Sequence, residues 1–345
     1  MSLTAGARYN VANIRLTDEL GNDSGLNSNN TYSHFNPIIG ATYKITPNVA
    51  LYGDYTVANR APTPLELACA DPNRPCVIDS ALVSDPPLQQ VVTYTWEAGL
   101  RGQFDIATGH ANWSVGVYHA INTNDIINVA SPIIGHSFFQ NAGDTLRKGI
   151  EADFSYKQDR WSVYANFTTV DAIFLNPLTL GSPNNPFADE NGNIFVVPGD
   201  HLTGIPNYRF KLGGEYRITD PWLFGADFNL FGSQWLVGDE SNQNPKLPAY
   251  WVVNLHSSYR LSDNVEVFGL VHNLFNKHYA VAGTFFETDN LPYLNLTDAR
   301  TFTPGMPFAA YLGVRGTLPS VTPVFAADTS RRLIAKAAPV SLPSG

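Results

Sequence analysis

No stretch of this chain approaches the roughly 18 consecutive apolar residues of a membrane-spanning helix, so a helical membrane protein is excluded. The same lack says nothing against a membrane β-barrel, whose apolar residues are interleaved with polar ones. Charge is scarce: 15% of residues are Asp, Glu, Lys or Arg, and the formal balance is −9. Nucleic acid requires basic patches, so it is not an expected partner. The start, Met1 to Gly6, is already strand-like and shows no charged segment leading into an apolar core, hence no visible signal peptide. Cysteine is nearly missing. The two present, Cys69 and Cys76, close a Pro-containing segment with no other Cys or His beside them. Such a pair fits a disulfide formed in an oxidising compartment; two free thiols are the alternative, and a metal site needs more ligands than this loop offers.

Catalytic signatures are missing too. There is no hydrolase elbow, no His-Glu-x-x-His, no phosphate-cradling Gly loop and no zinc spacing. The eight His are scattered and read as turn or interior residues. Asp189-Glu190-Asn191-Gly192-Asn193 is close to a calcium loop but lacks the later Glu, and reads as a hairpin turn. Neither an enzyme nor a cofactor-binding protein is expected.

What is abundant is alternation. In Arg209 to Ile218, Phe210, Leu212, Tyr216 and Ile218 fall on one face, while Arg209, Lys211, Glu215 and Arg217 fall on the other. Successive strand side chains point to opposite sides, so a period of two makes a two-faced ribbon. Trp222, Phe224, Ala226, Phe228 and Leu230 repeat the pattern, as do Trp251, Val253, Leu255 and Tyr259. Alternation and turn signals together predict about twelve strands, near 3–16, 34–45, 48–58, 91–105, 111–126, 144–157, 160–173, 207–219, 222–235, 249–261, 263–275 and 307–318. Links such as Thr46-Pro47-Asn48 and Thr219-Asp220-Pro221 are tight, and they alternate with long ones: 17–33, 59–90, 127–143, 174–206, 236–248 and 276–306. Short on one side and long on the other is the layout of an outer-membrane barrel. Twelve strands also make a ring too wide to fill with side chains, which favours an oily outside around a polar lumen. The six Trp, at 96, 113, 161, 222, 235 and 251, lie near predicted strand ends and read as an interfacial girdle, the alternative being caps on an apolar core.

Several segments resemble the TonB-dependent outer-membrane receptors. Asn273-Leu274-Phe275-Asn276 with Tyr279 is similar to their C-terminal Asn-Leu-Phe-Asn/Asp-x-x-Tyr motif, and Thr303-Pro304-Gly305 to their closing Pro-Gly segment. Arg60-Ala61-Pro62 with Glu66-Leu67 resembles their Arg-Ala-Pro-x-x-x-Glu-Leu segment. Glu97-Ala98-Gly99-Leu100-Arg101 resembles their Glu-x-Gly-Leu-Arg strand, and Asn141 through Gly149-Ile150-Glu151 their Asn…Gly-Val-Glu strand start. The resemblance implies an all-β, antiparallel transmembrane barrel, these strands matching the C-terminal part of a 22-stranded one. It implies a Gram-negative outer-membrane location, with outer-membrane lipid, a metal chelate or similar small molecule, and a TonB-type energy transducer as partners. The import of an iron–siderophore complex, haem or cobalamin follows from the same likeness. Neither the family's plug nor its N-terminal coupling box has a counterpart here, so this chain alone is not expected to drive transport.

The wall is expected over 1–318. Leu318 stands where the family ends on an aromatic residue, and 319–345 reads as a mobile tail. Ligand contact is expected from the long-loop side, with His136, Phe138, Phe139, Trp235, Asp239 and Glu240 as candidates; solvated loop tips and girdle members are the alternative. Glu97, Arg101, Glu151, Asp153, Arg209, Lys211, Glu215, Arg217 and Arg260 are expected to line the lumen, because a charge facing lipid at mid-membrane costs about 2–4 kcal/mol. A self-contained pore and a soluble all-β binding module remain the rival readings.

Overall fold

The computed structural model describes residues 1–19, 21, 27–68, 76–77, 88–130, 136–286 and 298–317. Twelve strands pair antiparallel, each with the next in chain order: β1 (Ser2–Leu16), β2 (Ser28–Thr46), β3 (Val49–Arg60), β4 (Val91–Ile106), β5 (Gly109–Thr123), β6 (Thr145–Lys157), β7 (Trp161–Thr169), β8 (Tyr208–Thr219), β9 (Trp222–Phe231), β10 (Tyr250–Ser262), β11 (Val265–His272) and β12 (Ala309–Gly316). A short strand, Asp171–Phe174, carries the line of β7 onward along β6. Among the described residues, β1 and β12 each have a partner on one edge only. The closure that an even strand count permits is not made between them. Among the described residues, no helix is long and apolar enough to cross a membrane. Pro64–Ala68 is a single helical turn.

The register turns alternation into continuous rows. Tyr43, Leu51, Leu100, Val115, Ala152, Phe167, Phe210, Leu230 and Trp251 are successive cross-strand partners from β2 to β10, and none is charged. One residue away runs Lys44, Ala50, Arg101, Ser114, Asp153, Asn166, Lys211, Asn229 and Val252, four of them charged. Because side chains alternate across a strand, the two rows occupy opposite faces. All nine charges expected inside fall on the second face, and the apolar face carries exposed Val115, Val117, Trp96, Leu212 and Phe224. The apolar row also climbs. It stands three residues from the short-turn end on β2 and eleven from it on β10. A rise of about one residue per strand, at about 3.3 Å per residue and 4.8 Å between strands, corresponds to a tilt of roughly 35°.

Short and long links alternate as expected. The tight ones span Pro47-Asn48, Ala107-Thr108, Gln158 to Arg160, Asp220-Pro221 and Asp263-Asn264. Boundaries differ where side chains stop being informative. β2 begins at Ser28, six residues before the expected start, because the polar run Ser28-Asn29-Asn30-Thr31 pairs its backbone with β1. β9 ends at Phe231, which leaves Trp235 in a long link rather than at a strand end. Those links carry strands of their own. Leu178–Gly181 pairs with Asn193–Val196, and the Asp189 carboxylate accepts the N–H groups of Asn191 and Asn193 at 2.9 Å, which makes the hairpin turn expected there. Ile126–Ala130 pairs with His136–Asn141, and Ala280–Phe285 with Arg300–Pro304. Val129, Phe138, Phe174, Leu180, Ile194 and Leu202 bury one another beneath these links, so apolar contact anchors the loop layer to the wall.

Candidate functional site

Motifs that stood out in the sequence prove to be fasteners between wall and loops. At the end of β3, Thr63 and Glu66 form a reciprocal capping box. The Glu66 N–H donates to Thr63 Oγ1 at 3.1 Å and the Thr63 N–H to Glu66 Oε2 at 2.7 Å. Arg60 donates to the same carboxylate at 2.7 Å, so the Arg-Ala-Pro…Glu segment ties the helical turn to the strand it leaves. Leu67 is thereby buried against Leu88, Ile14 and Tyr32.

Tyr52 of β3 lies across the polar face of β4 and donates its hydroxyl to Glu97 at 3.0 Å. The Arg101 guanidinium lies 5.4 Å from the same ring. Gly99 leaves the room: a Cβ there would stand 2.7 Å from the Tyr52 hydroxyl and 2.5 Å from the Val115 carbonyl oxygen. The Glu-x-Gly-Leu-Arg spacing is thus the footprint of one tyrosine.

Asn273 and Asn276 both hold the left-handed conformation, at φ 47° and 46°, which Asn tolerates better than most residues. Asn273 donates to the carbonyls of Lys277 and Met306, and Asn276 accepts the Phe308 N–H. Gly305 donates its N–H to the Tyr279 carbonyl at 2.8 Å. This motif ends β11 and laces its long link to the start of β12. Asn141 plays the same part farther back, bridging Gln89 and Asn124.

The polar face is internally partnered. Tyr164 donates to Asp227; His256 lies 3.6 Å from Asp227 and 3.3 Å from Glu215. Lys211 Nζ is 5.1 Å from the Tyr164 ring. A cavity of about 700 Å³ opens here, lined by Arg101, Ser114, Asp153, Tyr164 and Asn166. Nearer the long links, buried Asp125 accepts from Thr145 at 2.7 Å and from Arg147 at 2.8 Å. Asn10 and Asn36 both donate to Asn59, which donates to Gln90. Sequence reading missed these two groups. Asp125 and Asn59 stand at strand ends where the period of two is lost, so no pattern pointed to them.

The residues expected to contact ligand are dispersed. Phe138 is buried in the loop-layer core, and Phe139 packs against the Leu67–Leu88 cluster. Asp239 is fully buried and accepts the N–H groups of Gln243 and Asn244 together with the Asn244 amide, which makes it a loop-folding residue. Glu240 accepts from Thr203 at 2.9 Å and from the Gly238 N–H at 3.1 Å, while burial pushes its carboxyl above the ordinary carboxylate range. It borders a small cavity of about 140 Å³ with Ser137 and Thr284. Trp235 borders a larger one, about 600 Å³, with Lys148, Asp171, His201 and Lys246. His136 begins a strand, and its side chain lies outside what is described. So do Cys69, the Cys76 side chain, Leu318 and 319–345.

The family described as TonB dependent receptor-like, beta-barrel matches residues 1–274. The metal-pseudopaline receptor CntO of Pseudomonas aeruginosa, in strains UCBPP-PA14 and PAO1, is 25% identical over 248 residues, covering 70% of this chain and 30% of the relative. The chain therefore spans less than a third of the length of those relatives. Among solved structures, the siderophore receptor PiuA from Acinetobacter baumannii superposes with a TM-score of 0.60 at 16% identity, covering 91% of this chain and 40% of that one. The copper transporter OprC superposes at 0.64, with 16% identity over 91% of this chain and 44% of its own. At such identities the two structures speak for the fold alone.

Proposed function

Since the chain belongs to the TonB-dependent receptor-like β-barrel family, we propose that it forms wall strands of a receptor that imports a scarce metal as its chelate. Proteins of this family are outer-membrane β-barrels of Gram-negative bacteria, transporters rather than enzymes. The observation that carries the reading is the pair of adjacent rows, one uncharged over nine strands and the other bearing Lys44, Arg101, Asp153 and Lys211. A wall so divided can face hydrocarbon on one side and a hydrated passage on the other. The related CntO is a receptor for a metal–pseudopaline complex, which favours a metal chelate of the siderophore class over haem or cobalamin. Energy would come through a TonB-type transducer acting on the whole receptor. Ligand contact belongs to the long-link side, where Glu240 borders a cavity with Ser137 and Thr284. A self-contained pore is disfavoured, since β1 and β12 each keep an edge unpaired among the described residues.

The test is uptake. Cells lacking the gene for this chain should fail to accumulate one radiolabelled metal chelate from a panel, and collapsing the proton-motive force should abolish the same uptake in the parent. Unchanged accumulation of every chelate would sink the assignment, and so would uptake that survives the collapse.

A further inference from the structure

Charge is distributed unevenly on the apolar face. Following the register, the twelve strands carry two formally charged residues on that face, Arg15 on β1 and Lys148 on β6, and the continuation of β7 adds Asp171 opposite Lys148. The two on the wall strands are cations, and both stand near the long-link end of their strands. Cations at the short-turn end, including Lys44, Lys157, Arg217 and Arg260, sit on the polar face.

One wall-strand tryptophan meets a cation, and it stands at the same rim. At the long-link rim, Lys277 Nζ lies 4.2 Å from the Trp251 ring, with Phe275 at its edge. Trp96 packs against Tyr55 at 4.9 Å and His119 at 6.0 Å, and Lys148 is the cross-strand partner of His119. At the short-turn rim the partners are neutral: Trp161 meets Tyr156, and Trp222 Nε1 donates to Ser257 Oγ at 3.0 Å. Tryptophan favours the lipid–water boundary. On β7, ten residues separate Trp161 from the level of Asp171 and its partner Lys148, about the length of one tilted membrane crossing. The cations therefore stand at headgroup depth along one rim and not along the other.

We propose that the long-link rim holds phosphate groups of the lipids in the adjoining leaflet through Arg15, Lys148 and Lys277. Each ammonium or guanidinium is set beside or just above the apolar belt, so it meets a headgroup phosphate while the belt meets acyl chains. Asp171 competes for one of them. Its carboxylate lies 3.3 Å from Lys148 Nζ, and His201 is 3.3 Å from its other oxygen. The proposal rests on membrane placement and not on the identity of any transported chelate.

The full chain, reconstituted in phosphatidylcholine vesicles, is titrated with brominated phosphatidylcholine or with brominated phosphatidic acid, and tryptophan quenching is read. At equal mole fraction the phosphate-monoester lipid should quench more strongly, with an apparent preference of about fivefold per engaged cation. The Lys148→Gln/Lys277→Gln variant should lose most of that excess. Asp171→Asn should increase it by freeing Lys148. Equal quenching by the two lipids, or an excess that survives in the double variant, overturns the proposal. No quenching by either lipid removes the membrane placement itself, and the proposal with it.

Discussion

Val115 and Ser114 are consecutive on β5, and their surroundings have nothing in common. Val115 is 45% exposed in a row that holds no charge from Tyr43 to Trp251. Ser114 donates to Asp153 at 3.4 Å, in a row with Arg101 and Lys211. In a soluble sandwich the apolar neighbour would be covered by protein. Here the polar side has the partners and the apolar side is bare, so solvent on the two sides has to differ. The sheet states what its surroundings are through which side chains it leaves unsatisfied.

The sharpest break in this contrast is a charge moved by one residue. Val115→Arg should cost about 2–4 kcal/mol of stability in a bilayer, whereas Ser114→Arg, beside Asp153, should cost less than about 1 kcal/mol. Urea unfolding from vesicles measures both, and equal costs would remove the distinction between faces. Next comes Gly149→Ala. A Cβ there would lie 1.9 Å from the Thr169 carbonyl oxygen and 2.8 Å from the Tyr118 hydroxyl, so backbone must shift at an expected cost of about 1–3 kcal/mol. A neutral result would mean that β7 is not pressed against β6 at this point. Smaller again, Asp227→Asn should cost about 1–2 kcal/mol by weakening the acceptor for Tyr164 and the partner of His256.

The mildest effect is a pH dependence. Glu240 has its folded pKa raised above the ordinary 4.5, chiefly by burial. The folded link therefore prefers the protonated acid, and its stability should fall as pH rises from about that value through the raised one. Glu240→Gln should flatten the trend. Hydrogen exchange over 231–250 at a series of pH values follows it, and a wild-type link insensitive to pH contradicts it.

All twelve wall strands were legible in the sequence because a half-wet sheet writes its two faces into alternate residues. That the nine charges expected inside share one face was legible for the same reason. The link strands were not. Leu178–Gly181 and Ile126–Ala130 are buried by other links on faces that no period of two marks. Phe138 and Asp239 looked like ligand contacts because aromatic and acidic residues in long links suggest a binding surface. One proved to be core, and the other a hub for backbone N–H groups. The register itself, which converts twelve separate patterns into rows, depends on backbone pairing that side-chain identity does not record.

The climbing row has a mechanical meaning. Covalent backbone runs along one direction of the wall and hydrogen bonds along the other, and a tilt near 35° leaves neither direction parallel to the membrane plane. Squeezing from the surrounding bilayer is then shared between strong and weak bonds at every strand crossing. The wall behaves as a diagonal weave, which shears before it splits.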